Sequence, residues 1–300
     1  MHVFVTRQLP GTALDRLRAR HSVTVWPQRL PPSPGDLRRH GERADGLLTL
    51  LTDQVDARLL DACPTVRAIS NYAVGFENID IPAATARGIP VGHTPGVLTE
   101  ATAQLAITLA LDLLRRVSEA DKDVRGDRWK TWEPAGHLGA SLDQTTLGLI
   151  GYGRIGQAVG RMARALGMRV MYTDPVASGR SLGEVLAGSD VISLHALLTP
   201  GTRALINART LALMRPGALL VNVARGAMVD TAALADALRS GHLAGAGLDV
   251  TDPEPLPADH ELLAFPNVIV TPTSPRPRSA PAPRWPISRL TTSWLAWRGG

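Results

Sequence analysis

The segment of the chain with the clearest chemical meaning is a glycine-rich turn between two apolar runs. Gly151, Gly153 and Gly156 follow the apolar run 147–150 in a GxGxxG pattern, and a helical pattern comes next. The first glycine permits a tight turn, the second lets backbone approach a diphosphate, and the third lets the helix pack on the strand. The pattern predicts a dinucleotide site. A glycine-rich turn in an unrelated α/β protein is the alternative.

An acid ends the second apolar run at the spacing that a ribose ligand requires. Asp174 lies 23 residues after Gly151 and follows the run 168–172. A carboxylate there accepts hydrogen bonds from the ribose hydroxyls and repels a 2′-phosphate, so we expect NAD rather than NADP. Arg180 lies close enough in the sequence to weaken that preference.

Two charged side chains follow strand-like runs farther along the chain. Arg225 comes after the run 218–223, where its guanidinium could hold a carboxylate in a bidentate pair. Glu254 comes shortly after Asp249, the acid of AGAGLDV, and its carboxylate could orient a histidine. An arginine in a surface ion pair and an exposed acid in a proline-rich turn are the alternatives.

A short turn near residue 75 could bind an anion through its backbone. Val74 and Gly75 come just after the strand-like run 66–70. Backbone N–H groups in such a turn can bind an anionic substrate. The alternative is a tight turn that merely needs glycine.

Strand-like and helix-like runs alternate along the chain, which predicts α/β units with parallel sheets. We predict one domain over 1–97, a dinucleotide-binding domain over 98–272, and a ligand site at the cleft between them. A single long helix is expected over 99–125, capped by Thr99. The predicted strands are 3–5, 23–26, 46–50, 66–70, 90–92, 147–150, 168–172, 191–194, 218–223, 246–250 and 268–271. The other predicted helices are 11–20, 55–62, 81–87, 207–213 and 231–240, with a proline-rich loop over 27–35.

Composition narrows the classes of function. The 300 residues carry a net charge of +5, and the segment 273–300 accounts for all of it, so we expect no nucleic-acid partner. The single cysteine, Cys63, fits a reducing compartment, and the first residues lack a secretory signal. The apolar stretch 101–114 is too short to span a bilayer. We therefore expect a cytoplasmic protein with no membrane partner and no metal.

The motifs together resemble the D-isomer-specific 2-hydroxyacid dehydrogenase family, and most closely its glyoxylate/hydroxypyruvate reductase members. The resemblance extends over about 40–272 and is carried by NYAVGFENIDIPAATARGIPVGHTPGVLTEATAQLA, GLIGYGRIGQAVGRMARALGMRV, SLHALLTPGTRALINARTLALMRPGALLVNVARGAMVDTAALADAL and AGAGLDVTDPEPL. It implies a flavodoxin-like substrate domain, a Rossmann NAD domain and a homodimer. The implied reaction is hydride transfer between NAD(H) and a small 2-oxo or 2-hydroxy acid.

The resemblance also implies a role for individual residues. Arg225 would bind the substrate carboxylate, as would the N–H groups of Val74 and Gly75, and Glu254 would raise the basicity of a catalytic histidine. His93 stands where the family often has asparagine, and we interpret it as a loop residue that is not catalytic. We interpret His195 as structural rather than as the proton donor. The implied cofactor contacts are Thr102, Gly151, Gly153, Arg154, Ile155, Gly156, Asp174, Val223, Ala224 and Asp249.

The family pattern breaks at residue 273, where Thr273 stands in place of the catalytic histidine. The last 28 residues, 273–300, contain five prolines and five arginines, and the prolines forbid a continuous helix. A shifted reading frame explains this segment: a C before the Thr273 codon gives histidine, and the following codons permit an amphipathic helix. A genuinely divergent, disordered tail is the alternative.

Two functions follow from this departure. The chain is expected to be a 2-hydroxyacid dehydrogenase whose turnover is impaired because it lacks the proton donor. The alternative is a catalytically inactive NAD-sensing interaction protein of the same family.

Overall fold

The computed structural model describes residues 1–10 and 12–273, which form two compact units. One unit is Met1–Leu98 and the other begins at Thr99. The segment 274–300, and with it most of the segment interpreted as read in a shifted frame, lies outside the described residues.

The first unit is built on five parallel strands in the order β2-β1-β3-β4-β5. The strands are β1 His2–Val5, β2 Ser22–Val25, β3 Gly46–Thr49, β4 Ala68–Asn71 and β5 Val91–Gly92. The helices are α1 Ala13–Arg18, α2 Pro34–Gly41, α3 Ala57–Ala62 and α4 Ile81–Ala86. Every residue of β3 and β4 is buried, as expected for central strands covered on both faces. This strand order is the flavodoxin-like one.

Helix α2 is not among the predicted helices, and the proline-rich loop predicted over 27–35 includes its first two residues. The Ser33 side chain accepts a hydrogen bond from the backbone N–H of Asp36, and Pro34 occupies the first helical position. A serine cap followed by proline is a helix-start signal that outweighs the loop composition.

The second unit is built on six parallel strands in the order β11-β10-β9-β8-β6-β7. Its strands are β6 Thr146–Ile150, β7 Arg169–Thr173, β8 Val191–Leu194, β9 Ala218–Asn222, β10 Leu243–Leu248 and β11 Val268–Val270. Its helices are α5 Thr99–Arg115, α6 Val117–Arg125, α7 Arg154–Ala165, α8 Leu182–Gly188, α9 Ala208–Leu211 and α10 Thr231–Arg239. Short 3-10 helices cover Leu142–Gln144, Gly226–Met228 and Glu261–Ala264.

Both faces of the second sheet are covered by helices. Leu149 and Val221 pack into one core with residues of α5 and α7, whereas Ile192 and Leu220 pack into another with residues of α8 and α10. Complete burial of a leucine stabilises the fold by roughly 1.5–3 kcal/mol. The α/β class with two parallel sheets is therefore confirmed.

The prediction of a single helix over 99–125 is wrong, because the chain turns at Arg116. Arg116 has a left-handed backbone with φ 52°, which ends α5, and α6 begins at the next residue. Asp112, in the last turn of α5, accepts hydrogen bonds from Ser118 N and Oγ at 2.7 and 2.5 Å. Thr99 is the first residue of α5 rather than a residue before it.

Candidate active site

The glycine-rich turn lies where the strand order of the second sheet reverses. β6 pairs with β7 on one side and with β8 on the other, so a crevice opens at the carboxyl end of β6. Gly151 has φ +95°, and a Cβ on it would lie 2.6 Å from the backbone N of Ala196. A Cβ on Gly156 would overlap the carbonyl oxygen of Gly151. Only glycine fits either position.

Gly153 faces open space, in contrast to its two neighbours in the motif. A Cβ built on it meets no atom of the described residues within 4 Å. Gly153 directly precedes α7 and, being a glycine, has no side chain that could cap the first N–H groups of the helix. The open backbone and the positive end of the helix dipole suit a diphosphate.

Asp174 is held in place by three backbone amides. Its carboxylate accepts hydrogen bonds from Tyr152 N at 2.7 Å, Val176 N at 2.8 Å and Ala177 N at 3.0 Å. The N–H groups of Ala177, Tyr152 and Val176 lower the pKa of Asp174. A fixed, ionised acid therefore stands beside the second residue of the glycine-rich turn.

A pair of tyrosines, which the sequence analysis missed, joins the same two strand ends. The rings of Tyr152 and Tyr172 stack with centroids 3.9 Å apart, and the Tyr172 hydroxyl donates to Ser178 O. A tyrosine at the second position of GxGxxG, followed by one near the end of β7, is the signal in the sequence from which this pair could have been predicted.

Arg180 is the cation that could weaken the preference for NAD. Its guanidinium lies 3.8 Å from the Glu184 carboxylate.

Arg225 lies on a turn that Asn222, at the end of β9, holds in shape. The Asn222 amide donates to Arg225 O at 2.9 Å and accepts from Ala224 N at 3.0 Å. The Arg225 guanidinium donates to Ala224 O at 2.7 Å. Asn222 is buried and was also missed, although a polar residue that ends an apolar strand is a recognisable signal.

Position 273 and Glu254 are brought into direct contact. Thr273 Oγ1 lies 2.5 Å from Glu254 Oε1 and 3.0 Å from Asp249 O. Asp249 is buried, and its Oδ1 accepts a hydrogen bond from Thr271 Oγ1 at 2.7 Å. Residues from the ends of β10 and β11 therefore meet at one edge of the sheet.

The loops after β9 and β10 also touch through their backbones. A Cβ on Gly226 would overlap the carbonyl group of Thr251. Gly226 follows Arg225 directly, and Thr251 lies between Asp249 and Glu254. The absence of a side chain at residue 226 thus lets the Arg225 turn lie against the loop that carries both acids.

Val74 and Gly75 belong to the first unit, where they form a turn with Ala73. We name Ala73–Gly75 the anion turn. Its three carbonyl oxygens all accept hydrogen bonds from within that unit, whereas the N–H groups of Val74 and Gly75 make none among the described residues. The turn thus presents donors and no free acceptor, which suits an anion.

The remaining predicted cofactor contacts lie around the glycine-rich turn or near it in the second unit. Val223 and Ala224 are buried at the end of β9, Thr102 is buried in α5, Arg154 is exposed and Ile155 packs against the core shared with α5.

His195 lies under the glycine-rich turn, at the end of β8. Its Cβ is 3.7 Å from the position of a Cβ on Gly156, and its Nε2 lies 2.9 Å from Ser193 Oγ. The residue is half-buried, but its Nδ1 is inaccessible and has no partner among the described residues. Burial lowers the pKa of His195 to about 3, so the ring is neutral.

The chain is similar to proteins of a known family. Residues 107–273 match the family model described as "D-isomer specific 2-hydroxyacid dehydrogenase, NAD binding domain". The chain belongs to that family. A glyoxylate reductase of Aeropyrum pernix is 45% identical over 284 residues, which cover 90% of this chain and 85% of the relative.

Solved structures of similar sequence have the same fold. The TT0316 protein from Thermus thermophilus is 50% identical with a TM-score of 0.86, covering 91% of this chain and 89% of its own. A D-lactate dehydrogenase from Aquifex aeolicus, complexed with NAD and lactic acid, is 27% identical with a TM-score of 0.81, covering 99% and 93%. This 2-hydroxyacid dehydrogenase is an NAD-dependent oxidoreductase that transfers a hydride between NAD(H) and a 2-oxo or 2-hydroxy acid.

A groove of the second unit lies away from this chemistry. It has a volume of about 950 Å³ and is lined by residues at the end of α5, such as Asp112 and Arg116, and by residues at the amino ends of strands, such as Asp190 before β8 and Asn267 before β11. Because nucleotides bind at the carboxyl ends of such strands, the groove is not the cofactor site. Over the described ranges, no cluster of potential metal ligands is found and no helix is long and apolar enough to cross a bilayer.

Proposed function

We propose that the chain is a D-specific reductase of glyoxylate, hydroxypyruvate or a similarly small 2-oxo acid. The direct contact between position 273 and Glu254, beside the Arg225 turn, carries the proposal. In this family pattern a histidine at position 273 would be oriented by the glutamate and would face the reacting oxygen. The relatives named glyoxylate reductase, at 41–45% identity, support the substrate class.

In the proposed mechanism, Arg225 binds the substrate carboxylate and polarises the carbonyl group. Its planar guanidinium can make two parallel hydrogen bonds to a carboxylate. The N–H groups of Val74 and Gly75, which make no hydrogen bond within the described part of the chain, would bind the same carboxylate. When bound, the nicotinamide supplies the hydride, and the chain supplies orientation and charge.

The cofactor would be held by the open backbone of the glycine-rich turn and by its neighbours. Gly153, Arg154 and Ile155 would offer N–H groups to the diphosphate, and Asp174 would accept from the ribose. Asp249 would lie near the nicotinamide carboxamide. The other proposed contacts are Thr102, Gly151, Gly156, Val223 and Ala224. The carboxylate of Asp174 disfavours NADP.

Thr273 cannot donate a proton as an imidazolium does, so we propose that turnover is impaired. General acid catalysis contributes roughly 10²–10⁴-fold to a rate. Arg225, which binds the substrate, and the glycine-rich turn and Asp174, which hold the cofactor, are all present, so substrate and cofactor binding should be retained. Full turnover by the protein with threonine at position 273 would contradict the proposed impairment.

We attribute the segment 273–300 to a shifted reading frame. Sequencing the gene tests this directly, because the interpretation requires a C immediately before the Thr273 codon. Any other base there leaves a divergent tail as the explanation.

A second candidate function is NAD sensing without catalysis, and Thr273 is the observation that favours it. Calorimetry with NADH, followed by assays of a 2-oxo acid panel with NADH and NADPH, separates the candidates. The reductase requires NADH binding together with turnover once histidine stands at position 273. NADH binding without turnover in that variant, and recovery of a partner, would favour sensing. Failure to bind NADH would overturn both.

We further propose a substrate domain over 1–97, an NAD domain over 98–272 and a homodimer through the NAD domain. Helix α6 has no buried residue. Large apolar side chains are exposed on it and on the segment after it, at Val117, Val124, Trp129, Trp132 and Leu138. A second copy of the chain would cover them.

The oligomeric state can be measured directly by light scattering after size exclusion. Wild-type protein should have the mass of a dimer, and replacing Trp129 and Trp132 together with serine should shift the mass toward that of a monomer. Leu197 is similarly exposed but lies elsewhere, so Leu197→Ser is the control. A monomeric wild-type protein would overturn the proposal.

We place the enzyme in the cytoplasm. The single cysteine, Cys63, is buried and free, and burial raises the pKa of its thiol to about 11. An unreactive free thiol is compatible with a reducing compartment. Fractionation of the native cells would test the assignment.

A further inference from the structure

We propose that His93 is a positioning residue for the substrate carboxylate, and this rests on the function proposed above. The His93 side chain aims the N–H group of Gly75 through a hydrogen bond to Val74 O. It does not touch the substrate itself.

A set of hydrogen bonds to its carbonyl oxygens holds the anion turn in place. Val74 O accepts from His93 Nδ1 at 2.8 Å, and Gly75 O accepts from the Asn71 amide at 2.9 Å. Ala73 O accepts from both the backbone N and the Oγ1 of Thr94, at 2.8 and 2.9 Å. Each carbonyl oxygen of the turn thus has its own donor.

Because each peptide group is planar, these hydrogen bonds also set the directions of the N–H groups of the turn. The C=O of one residue and the N–H of the next share a rigid plane and point in opposite directions. The bond from His93 to Val74 O therefore sets the direction of the Gly75 N–H. In the same way, Thr94 sets the direction of the Val74 N–H. His93 is thus the side chain assigned to one of the two anion donors.

The hydrogen bond to Val74 O also determines which nitrogen of the His93 imidazole carries the proton. A carbonyl oxygen only accepts, so Nδ1 carries the proton and donates it. The ring of Phe76 meets the His93 ring edge to face with centroids 5.2 Å apart, which holds its orientation. His93 is half-buried, so the bond is partly shielded from water.

Asparagine is the replacement that should preserve the function. Its Nδ2 is separated from Cβ by two bonds, like Nδ1 of histidine, so His93→Asn can donate to Val74 O. His93→Leu has a comparable volume but no donor. His93→Gln has an amide that lies one bond farther away. Comparison of the three variants distinguishes the effect of losing the hydrogen-bond donor from the effect of changing the volume of the side chain.

The test is calorimetry with oxalate as the probe, on the full chain saturated with NADH. We expect His93→Leu and His93→Gln to weaken oxalate binding about tenfold, since a misaligned N–H no longer meets the carboxylate. His93→Asn should bind oxalate within about twofold of wild type. NADH affinity should be unchanged in all three variants. If His93→Leu does not fold, His93→Gln supplies the same comparison.

Residual turnover gives a second readout. The carboxylate is bound equally before and during hydride transfer, so KM for glyoxylate should rise in His93→Leu while kcat is nearly unchanged. Wild-type affinity in both His93→Leu and His93→Gln, or equal loss in His93→Asn, would overturn the role of His93. Failure of wild-type protein to bind oxalate would instead overturn the proposed function.

Discussion

Thr273 donates a hydrogen bond from Oγ1 to Glu254 Oε1 at 2.5 Å, although the two residues are 19 positions apart in the sequence. The acid that would orient a histidine is thus already in contact with the position where the family has one. We expect Thr273→His to raise kcat for glyoxylate about 10²-fold, the lower part of the range for general acid catalysis.

The control for this gain is the double variant Thr273→His with Glu254→Gln, measured by stopped-flow oxidation of NADH. The amide cannot stabilise an imidazolium, so most of the gain should disappear. An unchanged rate in Thr273→His, with NADH still bound, would show that position 273 is not beside the reacting atoms.

Arg225 should control substrate affinity and turnover but not cofactor affinity. Arg225→Gln removes a charged hydrogen-bonding fork, a loss of about 1.5–3 kcal/mol, so kcat/KM for glyoxylate should fall about 10- to 100-fold. The exposed Arg209 on α9 provides the control, Arg209→Gln. Equal kinetics in the two variants would remove Arg225 from the site.

Asp174 should determine the choice between NAD and NADP. Asp174→Asn removes the charge, and its single oxygen cannot accept from Tyr152 N as well as from Val176 N and Ala177 N. We expect NADH affinity to fall about tenfold, and the preference for NADH over NADPH to fall by at least as much, since about 1.4 kcal/mol is lost. Calorimetry with both cofactors measures this, with Asp143→Asn as the remote control.

His195 should make the fold less stable in acid. The pKa of His195 is about 3 in the folded chain, whereas an unfolded histidine has one near 6.5. The unfolded chain therefore takes up a proton that the folded chain does not. The free energy of unfolding should fall as the pH drops below about 6.5, by up to about 1.4 kcal/mol per pH unit.

His195→Asn removes this titration while keeping a polar side chain near Ser193. Urea unfolding between pH 4.5 and 8 should show a shallower loss of stability in the variant than in wild type. Parallel curves for the two proteins would mean that His195 is protonated in the folded state as readily as in the unfolded one.

Local sequence determined the fold class and the cofactor turn of this protein. Glycine spacing, apolar runs and Asp174 lie within one βαβ unit, and steric limits on a tight turn act over a few residues. Gly151 and Gly156 could be predicted for that reason, and their backbone surroundings exclude a Cβ.

Tertiary structure decided the features that depend on contacts between distant segments. Asn222 and His93 were missed as site residues because each acts through a hydrogen bond to a backbone carbonyl oxygen, and such bonds leave no periodic pattern. The end of α5 at Arg116 was also missed, because helical periodicity continues across one left-handed residue. The contact between Glu254 and Thr273 exists because parallel strands bring their carboxyl ends together, which no local pattern encodes.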